Sequence, residues 1–67
     1  MNRISIRQMI EEIDLERKYR ADVFPRLIAN GKMRQAIADY RNERLMAIRD
    51  LLVQLAQRDE DKDRLSY

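Results

Sequence analysis

Phe24-Pro25-Arg26-Leu27-Ile28-Ala29-Asn30-Gly31-Lys32-Met33 holds the only proline and the only glycine of the 67-residue chain, and its reading decides the fold. Gly31 after Asn30 marks a helix C-terminus, where the residue just past the end turns left-handed and glycine does so without a Cβ penalty. Segments of similar length with helical periodicity lie on either side, so the chain is expected to fold back here as an αα-hairpin.

Upstream, Ser5 and Gln8 have the spacing of a capping box that opens the first helix. Ile6, Met9, Ile10 and Ile13 follow at i, i+3, i+4 and i+7, and Phe24, Leu27 and Ile28 return to the same face. Arg17 and Arg20 interrupt that stripe. Leu15, Tyr19 and Val23 mark a second apolar line. Asp14 to Lys18, Glu16 to Arg20 and Asp22 to Arg26 are acid-before-base pairs at i, i+4 that support the helix. Pro25 removes one backbone donor and crowds the carbonyl of Ala21, so the helix either kinks there or stops near Phe24 and restarts. A kinked continuous helix is favoured, because Phe24 is a poor N-cap and the stripe resumes in phase.

Downstream, the second helix is expected to begin between Lys32 and Gln35 and to run to about Gln57. Its main face collects Met33, Ile37, Tyr40, Ile48, Leu51, Leu52 and Leu55, while Met46 and Val53 point away as a second apolar line. Antiparallel pairing about Gly31 brings Arg17 and Arg20 level with Glu43 and Arg44, with Glu16 and Glu43 as counter-charges. A polar cluster of Glu16, Arg17, Arg20, Glu43 and Arg44 is thus expected at mid-hairpin, setting register. The domain is expected to span 1–58, and the mixed-charge segment 59–67 to fray or to be disordered.

Composition narrows the rest. A chain of 8.1 kDa is one domain at most, and its single core supplies only a few kcal/mol unless something staples it. With no Cys and no His, neither a disulfide nor the usual zinc site is available. Self-association or docking on a larger partner remains, so the hairpin is expected to dimerise into a four-helix arrangement. The line of Leu15, Tyr19, Val23, Met46 and Val53 is read first as that dimer seam and second as a partner groove. Hydrophobic residues make up 45% and charged residues 39%, which with clear periodicity indicates a folded, highly charged helical protein. Neither a signal-peptide pattern nor an apolar run of the ~20 residues needed to span a membrane occurs, and the cytosol is the expected compartment.

The same absences remove most chemistry. Nucleophile systems that depend on a His base and glycine-rich phosphate loops cannot be built, and adjacent carboxylates such as Glu11 and Glu12 diverge on a helix. No enzyme, metal site or cofactor is expected. At the hairpin tip Phe24, Arg26, Lys32 and Arg34 form a basic patch that suits phosphates or an acidic protein surface as well as it suits a solvated turn.

The stretch from Glu12 to Leu55 resembles a family of small proteins of temperate phages and prophages in Proteobacteria. The resemblance rests on Glu16-Arg17-Lys18-Tyr19-Arg20, Phe24-Pro25, Gly31-Lys32-Met33, Ala36, Met46-Ala47-Ile48 and Leu51-Leu52. The family usually has Tyr where this chain has Phe24, and Ser or Thr where it has Arg34, which removes the expected N-cap of the second helix. The resemblance implies a small helical dimer of a phage accessory region that binds and blocks a host regulator, such as a quorum-sensing activator. Nucleic-acid binding through the basic tip is the alternative, and a structural or assembly accessory a third.

Overall fold

The computed structural model describes residues 3–65 of the chain, with side chains through position 58. It is an antiparallel hairpin of two helices, α1 (Ile6–Ala29) and α2 (Gln35–Leu65). Each helix has a local reason to start or stop where it does. Ser5 is the N-cap of α1: its hydroxyl accepts from the Gln8 amide at 3.1 Å, and the Gln8 side chain accepts from the Ser5 amide at 2.9 Å. The capping box is therefore complete.

At the other end Gly31 takes φ 72°, the only positive φ among the described residues. Its amide donates to the carbonyl of Ile28 at 3.1 Å and that of Lys32 to Leu27 at 2.8 Å, the paired bonds of a Schellman motif. Three residues later the Arg34 carbonyl accepts from Ile37 and Ala38, which opens α2 at Gln35. Pro25 lies inside α1 without breaking it. Its ring sits close to the C-terminus, so the missing donor leaves one carbonyl, that of Ala21, without its ladder partner.

Two cross-helix bonds give the register. Arg20 Nη1 donates to the carbonyl of Arg41 at 3.0 Å, and Arg49 Nε donates to Asp14 Oδ1 at 2.8 Å. Facing positions therefore sum to about 61 to 63, and Ile6 lies opposite the region of Gln57. The molecule measures 56 × 20 × 19 Å.

Two expectations are corrected. α2 continues through Leu65 rather than ending near Gln57; Ser66 and Tyr67, at the end of the mixed-charge segment, lie outside the described residues. No glycine or proline stands after Gly31 to stop the helix. The inward face of α2 also differs. Ile37, Tyr40, Ile48, Leu51 and Leu55 are exposed, and the buried positions are Ala38 and Leu45, flanked by half-buried Arg49, Leu52 and Ala56. Ala38, only 2% exposed, explains the rotation: just past the tight turn the helices approach closely, and a small residue fits where Ile37 would not.

Candidate interaction surface

Phe24, Ala38 and Leu45 are the only buried side chains among the described residues. They sit in the turn-proximal half of the hairpin. Phe24 is closed in by guanidinium groups, with Arg20 Cζ 5.3 Å and Arg41 Cζ 5.1 Å from its ring centroid. Such cation–π contacts contribute about 0.5–1 kcal/mol each at exposed sites and more when desolvated. Arg20 is the most enclosed arginine among the described residues. Its Nη1 reaches the Arg41 carbonyl, while its buried Nε has no hydrogen-bond partner and lies 3.7 Å from Glu16 Oε1.

The hairpin has two broad faces of different character. On one, an α1 cleft lined by Glu12, Leu15, Glu16 and Tyr19 meets an α2 cleft lined by Arg41, Arg44 and Ile48, with Leu45 at the floor of both. The exposed stripe of Ile37, Tyr40, Ile48, Leu51 and Leu55 runs along this side of α2 at helical spacing. The opposite face carries Asn42 and Met46 beside Arg17 and Ala21, bordered by Asp39, Glu43 and Asp50. The first face carries the exposed apolar stripe between an acidic edge on α1 and a basic edge on α2; the second sets Ala21, Met46 and Ala47 among Asn42 and the bordering carboxylates.

This division separates residues that the sequence reading grouped. Leu15 and Tyr19 are exposed on the first face and Val23 is half-buried, whereas Met46 lies on the second, with Val53 two helical turns on from it. They form no continuous line. The mid-hairpin polar cluster is likewise rearranged. Glu16 does pair with Arg20, but Glu43 lies on the second face away from both, and Arg17 pairs with Asp14 at 3.2 Å instead. The charge pair that bridges the helices is Asp14 with Arg49, at 2.8 Å and 3.4 Å. Asp14, expected to face Lys18, turns inward to Arg49 because Arg49 follows Leu45 by four and sits on the inner stripe. The Arg49 hydrogen bond, against a smaller opposing effect of burial, holds the Asp14 carboxyl below the ordinary aspartate value, and the Asp14 carboxylate raises Arg49.

At the tip, Phe24 is core and therefore outside the basic patch. Arg26 is exposed but paired with Asp22 at 2.6 Å, and Lys32 and Arg34 are exposed beside it. Among the described residues no group of acidic side chains is arranged to hold a metal ion, and no helix is long and apolar enough to cross a membrane. No family model, curated protein or solved structure matches this chain.

Proposed function

We propose that this chain is a non-enzymatic protein-interaction module of phage type, which works as a homodimer in the host bacterial cytosol and modulates a host protein by occupying its surface. A transcriptional activator or another regulator is the kind of host protein meant. The observation that carries the reading is the uncovered apolar face. Among the described residues eight large hydrophobic side chains are exposed, five of them on one stripe of α2, and no group of acidic side chains is arranged to hold a metal ion. Monomeric proteins rarely leave a contiguous apolar patch of that kind uncovered unless something docks on it. The phage-type and host-directed parts rest on the sequence resemblance.

Two measurements test this. Light scattering is expected to give twice the 8.1 kDa chain mass at micromolar concentration; a cooperatively folded monomer overturns the dimer. A tagged chain in nuclease-treated host lysate is expected to retain a protein that re-forms the complex when both are purified. Exposed Lys32 and Arg34 favour one second reading, nucleic-acid binding at the tip, and retention that vanishes on nuclease treatment would select it.

A further inference from the structure

Resting on the dimeric reading above, we infer that the occupant of the apolar face is a second copy of this chain, packed about a two-fold axis that runs along the hairpin. Each α1 then lies antiparallel over the partner's α2. Three observations lead there.

The first is area. The chain exposes 5957 Å², whereas the mass scaling for compact monomers gives roughly 4500 Å² at this size. The excess of roughly 1500 Å² exceeds the ~800 Å² that each partner contributes to a standard interface. A second hairpin laid on the open face covers the exposed stripe of α2 and the adjoining side of α1 in one step.

The second is charge. The α1 edge of this face carries Glu12 and Glu16, and the α2 edge carries Arg41 and Arg44. Among the described residues, Arg41, Arg44 and Glu12 have no ion-pair partner within the chain, although Arg41 stacks on Phe24 and Arg44 on Tyr40. An axis along the hairpin sets the acidic edge of one copy over the arginine edge of the other, twice by symmetry. The competing axis, across the hairpin, sets α2 on α2, brings the two Arg44 side chains within about two helical turns of each other and leaves the glutamates on the other helix pair.

The third is register. Rotation about an axis along the hairpin preserves axial level, so residues whose numbers sum to about 63 meet across the interface just as they do within the chain. Met9 then meets the partner's Leu55, and Val23 meets the partner's Tyr40. Glu16 lies within a turn of the partner's Arg44. Leu15 meets the partner's Ile48, while Glu12 falls at the level of the partner's Leu51.

The test is charge reversal with mixing, read by sedimentation equilibrium and with circular dichroism to confirm that each variant is helical. Arg44→Glu and Glu16→Lys are each expected to weaken self-association by about tenfold or more, since each sets like charges together twice. Mixed in equal amounts, they are expected to form a heterodimer of near wild-type affinity, because both seams then carry opposite charges. Unchanged self-association of the variants, or no preference for the mixed pair, overturns the geometry. Glu16 also pairs with Arg20, so a second measurement avoids it. The chain has no cysteine, and single variants Val23→Cys and Tyr40→Cys, mixed and oxidised, are expected to give the 23–40 cross-link between chains. Predominant 40–40 cross-links select the crosswise axis and overturn the proposal. A monomeric wild type contradicts the dimeric reading itself, whereas a dimeric wild type with the wrong cross-links contradicts only this packing.

Discussion

The turn-proximal half of the hairpin and its open end are built from the same kinds of residue but pack very differently. Near the turn, Phe24, Ala38 and Leu45 are buried, Arg20 and Arg41 stack on the Phe24 ring, and the Schellman bonds fix how the two helices leave the tip. Towards the open end Ile6, Met9, Ile10 and Ile13 face Leu52, Val53 and Ala56, and all seven are only half-buried. The difference comes from layering. Two helices in contact cover one stripe on each, and only where the turn forces a close approach does a side chain become enclosed on every side. Elsewhere a third and a fourth helix are needed to finish the core.

Substitutions that compare the two ends should show the gradient. Phe24→Ala truncates the largest of the buried side chains and is expected to destabilise by about 3–5 kcal/mol, enough to abolish the cooperative thermal melt of so small a domain. Ile10→Ala, at the half-covered end, is expected to lower stability by only about 1 kcal/mol, in proportion to its smaller buried area. Equal effects at the two sites in parallel melts would remove the distinction.

The turn itself can be weakened without touching any packing. A Cβ at Gly31 meets nothing within 4 Å, so Gly31→Ala introduces no clash and tests backbone conformation alone. The left-handed φ is expected to make that variant less stable by roughly 1–2 kcal/mol in urea titration. A neutral result would mean that the tip relaxes to another turn.

The smallest effect lies midway, at the bridge between the ends. The folded Asp14 carboxyl titrates below its unfolded value, chiefly through the Arg49 hydrogen bond. Its contribution is therefore fully present above the unfolded value and is lost as pH falls through the folded one. The stability difference between wild type and Asp14→Asn is expected to be constant near neutral pH and to shrink on acidification below the ordinary aspartate range. Glu43→Ala, on the face opposite the exposed stripe and outside the bridge, is expected to leave stability within about 0.5 kcal/mol at every pH. A difference for Asp14→Asn that does not change with pH would show that the bridge contributes nothing.

Much of this molecule is dictated locally, and those parts were legible in the sequence. The Ser5–Gln8 capping box, the Asn30-Gly31 stop and the pairs Glu16–Arg20 and Asp22–Arg26 each depend on residues within one or two turns of one another, whereas the start of the second helix was confined only to the window Lys32 to Gln35. Backbone preference and short-range hydrogen bonding decide such features whatever the helix later packs against. The antiparallel hairpin follows from them, because two amphipathic helices joined by a tight turn have nowhere else to place their stripes.

Only the tertiary structure decided which stripe of α2 faces inward. Ile37, Tyr40, Ile48, Leu51 and Leu55 form the more hydrophobic line, and hydrophobicity alone would bury it. The rotation of α2 about its axis is instead set by the five residues of the turn and by the close approach at Ala38, which bring Leu45 and Arg49 to the seam. Once that angle is fixed, the partner of Asp14 becomes Arg49 rather than Lys18, and Glu43 is carried to the far side. Periodicity records that a helix has a face. Where a helix has two, the direction each one looks is a property of the pair of helices, set by steric fit between residues far apart in sequence.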